Sequence, residues 1–397
     1  QRPPRLVGRQ QTWALLESAC AAGLVVLLRG DTGIGKTRLA HEFCSSRGPL
    51  ITAKADPADA ALPLALLQRL MQEHPAGDAV EAVPWRQLAR ALKRWAAQPR
   101  TTVFIDDLQW ADAASLEALL DALALDRPPN LPVLLGVRDG EVPSALQVWL
   151  QRLPAGDWLD LPLTPLDEEA VRELLDDLGW PGVPAHRREQ MLAVLTQRAA
   201  GHPLLLLELL RTRRGGRAVQ PSSESVARQL QGMFTRRISR LDPAAQSVLR
   251  VAACAGPSFS LPLAAQVLDW PGEVVESAWD SLSREQLLQD DQRLLDAVAD
   301  AARQAVPTAL AMATHRALAI ALAERPETAE RVAHHWEQAG VWAQAAAAYE
   351  QAARAHEPRQ GEVLLLWDRC AACHQEAGQS ADVVAASWAA LEAAAVA

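Results

Sequence analysis

The stretch LVVLLRGDTGIGKTRLAHEF, residues 24–43, decides the fold of this protein. A short apolar run ends at the first glycine, and beyond the third glycine apolar side chains return at helical spacing over 37–46. This order of strand, glycine loop and helix turns backbone N–H groups toward a phosphate, and the helix N-terminus adds favourable partial charge. The spacing G-x4-G-K-T, which ends at Lys36 and Thr37, is the pattern of a phosphate-binding loop.

The residues of this loop have expected roles at a bound nucleotide. The Lys36 ammonium would reach the β- and γ-phosphates, and the Thr37 hydroxyl would hold Mg²⁺. The other residues of the segment that are expected to contact the nucleotide are Gly30, Asp31, Thr32, Gly33, Ile34, Gly35 and Arg38. A glycine-rich turn without a ligand is the alternative, and the flanking strand and helix argue against it.

Four more short apolar runs follow the loop, and helical segments separate several of them. The runs cover residues 50–53, 102–105, 133–137 and 158–163. Short apolar strands that alternate with helices predict a parallel sheet with helices on both faces. The fold class is therefore α/β, and residues 1–164 are expected to form a P-loop nucleotide-binding domain.

The remainder of the chain is predicted to be helical. We expect helices at 167–178, 185–200 and 204–213, a linker at 211–223, short helices broken by proline and glycine at 225–289, and alanine-rich helix from 292 onward. Two segments that begin at Gln338 and Glu376 resemble each other at an offset of 38 residues. This period predicts a helical-repeat array that is incomplete at its C-terminus.

Two acidic residues at the end of a predicted strand form the second half of the candidate site. Asp106 and Asp107 directly follow the apolar run at 102–105. Asp106 is expected to bind Mg²⁺ through water, and Asp107 is expected to orient or deprotonate the attacking water. The alternatives are that Asp106 caps a helix and that Asp107 only tunes the metal site.

A basic residue ends another predicted strand. Arg138 follows the run at 133–137. An arginine fixed at the carboxyl edge of a parallel sheet that binds phosphate can contact the γ-phosphate. The alternative is a surface arginine that pairs with Asp139 or Glu141.

Composition and charge exclude several classes of protein. The formal net charge is −9, so the chain as a whole lacks the basic surface that nucleic-acid binding requires. The five scattered cysteines fit a reducing compartment. The sequence has neither a signal peptide nor an apolar run long enough to span a membrane, so we expect a cytoplasmic protein. Because the chain starts at Gln1 without a methionine, we also expect a fragment of a longer protein.

Three weaker patterns favour structural explanations. The sequence CAACH at 370–374 matches the pattern of c-type haem attachment, but it lies in alanine-rich helix and is better explained by packing. His334 and His335 have no third metal ligand at a suitable spacing. The basic run at 211–217 is expected to be a solvated linker rather than a track for phosphates.

Five motifs occur in an order and at intervals that together resemble a known family. They are LVGR (6–9), GDTGIGKTRLA (30–40), VFIDDLQWAD (103–112), LLGVRD (134–139) and GHPL (201–204). The set is similar to the STAND class of P-loop ATPases. It most resembles the nucleotide-binding core of large bacterial ATP-dependent transcriptional regulators, a group that includes the maltose-regulon activator. The resemblance covers about residues 5–355.

The resemblance implies a nucleotide cycle with ATP/ADP and Mg²⁺ as the bound groups. An ADP-bound closed monomer would alternate with an ATP-bound open form that assembles into homo-oligomers when an inducer is sensed. The resemblance further implies that Val7, Gly8 and Arg9 line the adenine side. It implies that Arg138 senses the γ-phosphate and that Pro203 closes over the nucleotide.

The resemblance also divides the rest of the chain. It implies a helical lid at 165–221, a winged-helix domain at 222–291 and a TPR-like α-helical repeat at 292–397 that senses a small-molecule or protein inducer. From residue 242 on, the winged-helix region carries eight acids against two bases, so it is expected to be structural. DNA contact is expected only through a further domain. Leu295 stands where relatives often carry histidine, so the ADP-bound form is expected to be looser or to be held by another residue.

The sequence leaves three functions open. The preferred hypothesis is an ATP/ADP switch in a signalling or transcription regulator, reset by slow hydrolysis. One alternative is a turnover AAA+ ATPase that acts on DNA or protein. The other is a nucleotide-binding scaffold without significant hydrolysis.

Overall fold

The protein forms two compact units. The computed structural model describes residues 5–60, 62–74, 84–154, 156–180, 183–214, 226–289, 292–323, 329–355 and 360–379. The first unit, here called the sheet unit, comprises residues 1–54, 92–109 and 127–234. The second, here called the helical unit, comprises residues 55–91, 110–126 and 235–397. The finer division into four domains stays a prediction.

The sheet unit contains a five-stranded parallel sheet. Its strands are β1 (Val25–Arg29), β2 (Leu50–Lys54), β3 (Thr102–Asp106), β4 (Val133–Val137) and β5 (Trp158–Pro162). Their order across the sheet is β2-β3-β4-β1-β5, and every paired neighbour is parallel. The five predicted strands and the α/β class are confirmed, and many helices follow the sheet.

Burial follows the position of each strand in the sheet. All five residues of β3 and of β4 are buried, as expected for central strands covered on both faces. The edge strand β2 alternates between buried and half-buried positions, and only one residue of the edge strand β5 is buried. The apolar composition of the central runs therefore reflects burial on two sides.

Helices make up most of the remaining described chain. In chain order they are α1 (Gln10–Ala21), α2 (Lys36–Arg47), α3 (Ala65–Glu73), α4 (Pro84–Ala96), α5 (Ala113–Leu125), α6 (Ser144–Arg152), α7 (Glu168–Asp177), α8 (Arg188–Ala199), α9 (Pro203–Arg214), α10 (Val226–Ile238), α11 (Pro243–Ala255), α12 (Leu261–Leu268), α13 (Gly272–Arg284), α14 (Asp296–Ala305), α15 (Thr308–Leu322), α16 (Ala329–Gln338), α17 (Trp342–Ala355) and α18 (Gln360–Glu376). In the sheet unit, α1 packs on β1 and β5, and α2 packs on β2, β3 and β4.

Local sequence explains where several helices begin. Asp167 caps α7 by accepting a hydrogen bond from the backbone N–H three residues later, at 2.8 Å. Pro203 is the first residue of α9, where a proline costs no backbone hydrogen bond. The predicted linker is wrong at 211–214, because these residues continue α9 and Arg211 pairs with Glu208 of the same helix. Residues 215–223 of that linker lie outside the described residues.

In the helical unit, the last four described helices pack in succession, α15 on α16, α16 on α17 and α17 on α18. Tyr349 is fully buried there, and its hydroxyl donates to Oε2 of Glu337 at 2.6 Å. Cys370 and Cys373 are buried in the same apolar cluster, which confirms the packing explanation of the CAACH pattern. The second predicted repeat lies mainly at 380–397, outside the described residues.

The described helices were compared with the length and apolarity that a membrane-spanning helix requires. None of them taken singly is long and apolar enough to cross a membrane. Helices α14 and α15 pass such a test only as a pair, with a bend of 113° between them.

Candidate nucleotide-binding site

The strand order brings three predicted elements to one edge of the sheet. Strand β4 lies between β1 and β3, and all three run in parallel. The glycine loop follows β1, the acidic pair Asp106-Asp107 ends β3, and Arg138 follows β4. Because ligands of open α/β sheets bind beyond the carboxyl ends of the strands, these elements share one candidate site.

The glycine loop leads into α2 through left-handed backbone. Gly35 is the residue before α2 and has φ 105°, a value that favours glycine. A Cβ atom at this position would meet no atom within 4 Å, so the N-terminus of α2 is open on this side. An open helix N-terminus behind a glycine loop fits a phosphate group.

Lys36 is directed back toward this loop. The residue is 6% exposed, and its Nζ donates to the carbonyl oxygens of Gly30 at 2.7 Å and Asp31 at 3.3 Å. An ammonium group held at the loop by main-chain oxygens is placed where it can exchange them for phosphate oxygens.

Thr37 and Asp106 lie in contact at the start of α2 and the end of β3. The Thr37 hydroxyl donates to Oδ2 of Asp106, whose residue is 2% exposed. Burial, reinforced by the adjacent Asp107 carboxylate, raises the pKa of Asp106 to about 6, while the Thr37 hydroxyl acts in the opposite direction. Asp106 thus contacts the first turn of α2 through the Thr37 hydroxyl. The aspartate that caps the next α-helix, α5, is Asp112.

These two side chains fit Mg²⁺. A magnesium ion at a nucleotide site takes few protein ligands and completes its shell with phosphate oxygens and water. A hydroxyl and a carboxylate in contact, beside an ammonium group, supply the protein part of such a shell. No cluster of three or more His, Cys, Asp or Glu side chains suited to a metal ion occurs among the described residues.

Asp107 has an unusual backbone and two side-chain partners. Its φ is 53°, in the left-handed region that few non-glycine residues adopt. The residue is 7% exposed. Its Oδ2 lies 3.4 Å from Nζ of Lys54, and its Oδ1 accepts a hydrogen bond from Nε2 of Gln109 at 2.9 Å.

Arg138 is half-buried at the end of β4. Its backbone N–H donates to Oε1 of Gln109 at 3.1 Å. The neighbouring Asp139 is paired with Arg29, with 2.7 Å between Oδ1 and Nη1. Asp139 therefore has a partner on β1, at the end of the strand that precedes the loop.

The N-terminal segment reaches the loop through Arg9. The Arg9 side chain is buried, and it donates to the carbonyl oxygens of Thr164 at 2.6 Å and Ile34 at 3.1 Å. Gly8 has φ 63°, and a Cβ there would clash with Ala170 of α7. Val7 precedes them as a half-buried residue ahead of α1.

The start of α9 also packs on the loop. A Cβ on Gly33, which has φ 82°, would collide with the side chain of Leu204, the residue after Pro203. His202 is 2% exposed, and burial lowers its pKa to about 4 although the Asp31 carboxylate acts in the opposite direction. The loop and the first turn of α9 therefore touch directly.

The remaining predicted contact residues are spread over the outer part of the loop. Asp31 is exposed, whereas Thr32 is half-buried and Ile34 is buried. Arg38 lies in the first turn of α2, where its Nη2 is 3.5 Å from Oε1 of Glu42.

A family comparison agrees with this geometry. Residues 5–135 match the family described as AAA ATPase domain. These residues contain the phosphate loop, both acidic residues and most of β4. This part of the chain is therefore similar to P-loop ATPase domains of the AAA type. Such a domain implies a nucleotide ligand and, usually, Mg²⁺.

Individual relatives of this chain are distant. An uncharacterized protein of Rhizobium meliloti (strain 1021) is 26% identical over 329 residues, which are 66% of this chain and 30% of that protein. The chain thus spans less than a third of the length of this relative.

Solved structures that are similar include P-loop ATPases. The Walker-type ATPase of Pyrococcus abyssi is 16% identical, with a TM-score of 0.39 over 76% of this chain and 99% of that one. The RuvB Holliday junction branch migration motor of Thermotoga maritima is 19% identical, with a TM-score of 0.34 over 77% and 99%. Cdc6p of Pyrobaculum aerophilum is 12% identical, with a TM-score of 0.39 over 77% and 95%.

Three residues with several hydrogen bonds or ion pairs, Lys54, Gln109 and Asp112, were not singled out from sequence. Lys54 and Gln109 contact Asp107, as described above. Asp112 accepts hydrogen bonds from the backbone N–H groups of Leu64 at 2.8 Å and Leu66 at 3.3 Å, besides capping α5. For Gln109 and Asp112 the available signal was their place in VFIDDLQWAD, where only the acids at 106 and 107 were interpreted.

Proposed function

We propose that this chain is the ATP/ADP-dependent switch core of a multidomain bacterial signalling or transcription regulator. In this proposal the AAA domain holds ADP in a resting form and ATP in an active form that assembles into homo-oligomers. Slow hydrolysis resets the switch. The observation that carries the proposal is the direct packing of the phosphate loop on the start of α9.

The contacts of the phosphate loop support a switch because they connect the loop to α9 and to the N-terminal segment. Gly33 touches Leu204 at the first turn of α9, and Ile34 is bound through its carbonyl by Arg9. A change of loop conformation on nucleotide exchange therefore has to be accommodated by α9 and by the N-terminal segment, since packed interiors do not deform continuously.

Each site residue has a role in this proposal. Lys36 binds the β- and γ-phosphates, and Thr37 and Asp106 hold Mg²⁺, which neutralises phosphate charge when it is bound. Asp107 orients the attacking water, and Arg138 contacts the γ-phosphate. Their placement at one sheet edge supports these assignments.

Further contacts fall to the neighbouring segments. The loop residues Gly30 to Arg38 contact the phosphates through their backbone or flank them. Val7, Gly8 and Arg9 lie on the adenine side, and Pro203 closes over the nucleotide. The buried Arg9 and the packing of Gly8 on α7 support a fixed N-terminal segment.

Magnitudes limit what Arg138 does alone. Moving a two-state equilibrium from about 1:99 to 99:1 requires about 5.5 kcal/mol of differential binding. A hydrogen bond to a charged group contributes about 1.5–3 kcal/mol. We therefore expect at least one further contact that depends on the γ-phosphate, from a neighbouring subunit or from residues 201–290.

The segments after α9 are proposed to carry the signal. Residues 222–291 form a structural winged helix, a proposal supported by the short helices α11, α12 and α13. The successive helices from α14 to α18 bind the inducer. Leu295, the residue before α14, stands where a histidine would hold the ADP-bound form, so that form is either looser or held by another residue.

The test compares nucleotide binding and assembly in wild type and Arg138→Ala. Arg138→Ala is expected to weaken ATP binding about tenfold and to leave ADP binding unchanged, because only ATP carries the sensed phosphate. Calorimetry measures both affinities, and light scattering measures ATP-driven assembly. Arg152→Ala, at an exposed position of α6, is the matched control.

Three results would contradict the switch. If the Arg138→Ala variant binds ATP and assembles with it as well as wild type does, Arg138 does not sense the γ-phosphate. Steady-state turnover of several ATP per second favours a motor that consumes ATP. ATP that stays bound without hydrolysis over days favours a scaffold.

A further inference from the structure

Gln109 joins two parts of the candidate site. Its Nε2 donates to Oδ1 of Asp107 at 2.9 Å, and its Oε1 accepts the backbone N–H of Arg138 at 3.1 Å. One side-chain amide therefore bridges the end of β3 and the end of β4. It lies in the short 3-10 turn Leu108–Trp110 that directly follows the acidic pair.

The orientation of this amide is determined by its neighbours. A carboxylate oxygen only accepts hydrogen bonds, and a backbone N–H only donates. Turning the Gln109 amide over would set its oxygen against Asp107 and its NH₂ group against the Arg138 N–H, which loses both bonds. The bridge is thus directional.

The Asp107 carboxylate is held at both oxygens. Gln109 binds Oδ1, and Lys54 at the end of β2 lies near Oδ2. The two partners differ in kind, because the lysine contributes a positive charge whereas the neutral glutamine amide contributes only a directional hydrogen bond. The left-handed backbone of Asp107 adds a third constraint on where its side chain lies.

We propose that Gln109 is a positioning residue for ATP hydrolysis. It holds the Asp107 carboxylate in the orientation that acts on the attacking water, and it couples that orientation to the position of β4 and Arg138. A base must lie within hydrogen-bond reach of the water whose proton it takes, so orientation matters to the rate. The inference rests on the proposed function, since it assigns Asp107 and Arg138 their roles there.

The first test uses Gln109→Met, which keeps the shape of the side chain and removes both hydrogen bonds. Hydrolysis in a single turnover is expected to slow by about 10-fold to 100-fold, with KM for ATP and affinity for ADP unchanged within about twofold. In the protein without nucleotide, hydrogen exchange at the Arg138 amide is expected to be about tenfold faster. The exchange measurement does not depend on activity.

The second test uses Gln109→Glu, which separates the two hydrogen bonds. The glutamate keeps an acceptor for the Arg138 N–H, so the amide stays protected from exchange. It sets a second carboxylate against Asp107, so hydrolysis is expected to slow at least as much as in Gln109→Met. Gln147→Met, at an exposed site of α6 where Nε2 donates to the Val142 carbonyl at 3.1 Å, is the matched control.

The outcomes separate this inference from the proposed function. Wild type that binds neither ATP nor ADP overturns both. Intact nucleotide binding with wild-type hydrolysis in Gln109→Met overturns the positioning role alone. Unchanged exchange at the Arg138 amide in Gln109→Met also overturns it, because the bridge is then absent.

Discussion

Two buried aspartates in this protein are held in opposite ways. In the helical unit, Asp59 is 4% exposed and forms ion pairs with Arg69 of α3 and with Arg331 of α16, the latter at 3.2 Å. In the sheet unit, Asp106 is 2% exposed, and its partners are the Thr37 hydroxyl and a backbone N–H at 2.9 Å. One carboxylate meets two cations, and the other meets neutral donors.

The difference teaches how charge compensation relates to function. Asp59 is matched by guanidinium groups, and Arg331 is bound further by the Ser258 hydroxyl at 2.7 Å. Asp106 instead lies beside a second carboxylate, and burial together with that neighbour raises its pKa. A carboxylate matched by guanidinium contacts stabilises the fold, whereas a carboxylate that lies against a second carboxylate is suited to a cation ligand.

The largest change in the free energy of unfolding is expected when the charge of Asp59 is removed. Asp59→Asn takes away the buried anion that two half-buried guanidinium groups share, and we expect the free energy of unfolding to fall by about 3–5 kcal/mol. Urea unfolding followed by tryptophan fluorescence measures the change. Asp121→Asn, an exposed aspartate of α5, is expected to change it by less than about 0.5 kcal/mol. A similar small change for Asp59→Asn would show that the pairing contributes little.

A second substitution displaces the site carboxylate without changing its charge. A Cβ on Gly136 of β4 would clash with Oδ1 of Asp106, so Gly136→Ala forces that side chain away from Thr37. We expect a loss of about 1–3 kcal/mol in the free energy of unfolding and weaker Mg²⁺-dependent nucleotide binding. Gly272→Ala, where the added atom meets nothing within 4 Å, is the control. Unaltered nucleotide binding in Gly136→Ala would argue against the placement of Mg²⁺ at Asp106.

A third prediction concerns buried groups that stay neutral. Burial lowers the pKa of His315 to about 4, and its Nδ1 lies 3.0 Å from Nδ1 of His335, whose pKa is also lowered. The unfolded chain binds protons at these rings near pH 6.5, so stability is complete above that pH and declines as pH falls toward 4. The expected slope is about 1.4 kcal/mol per pH unit for each imidazole.

The histidine prediction is tested by unfolding at several pH values between about 7 and 5, where the unfolded imidazoles titrate. His315→Asn is expected to reduce the slope by the share of one imidazole, and His186→Asn, at an exposed position, serves as the control. A slope that is the same in His315→Asn and wild type would contradict the prediction.

The smallest expected change in the free energy of unfolding is an increase rather than a decrease. Asp106→Asn removes one of two adjacent buried negative charges, so the free energy of unfolding is expected to rise by about 1 kcal/mol without Mg²⁺ or nucleotide. The same urea experiment measures it, with EDTA present. A decrease as large as that of Asp59→Asn would break the distinction between the two carboxylates.

Much of this architecture was predictable because its signals are local. The apolar runs and the spacing of Gly30, Gly35 and Lys36 specify strands, a loop and a helix within a few residues of each other. The meeting of Asp106 with Arg138 at one edge follows from the parallel topology alone. The sequence therefore predicted the sheet and the general location of the site.

The remaining features depend on register and packing. In the parallel pairing of β2 with β3, the backbone of Lys54 lies opposite that of Asp106, and the Lys54 side chain lies near Asp107. No local sequence pattern indicates this register. Asp59 and Arg331 lie far apart in the chain and meet only through tertiary structure. The predicted helix at 204–213 includes Arg211, but the overlapping linker prediction was wrong at 211–214, because the charged and glycine residues that follow resembled a linker.

The division into units has a consequence for how this protein is taken apart. The chain passes from one unit to the other five times, after residues 54, 91, 109, 126 and 234. Neither unit is therefore a contiguous stretch, and no single truncation or protease cut separates one unit from every segment of the other. Shortened variants that end between residues 55 and 234 are expected to lose parts of both units at once, so point substitutions are the sounder way to dissect this protein.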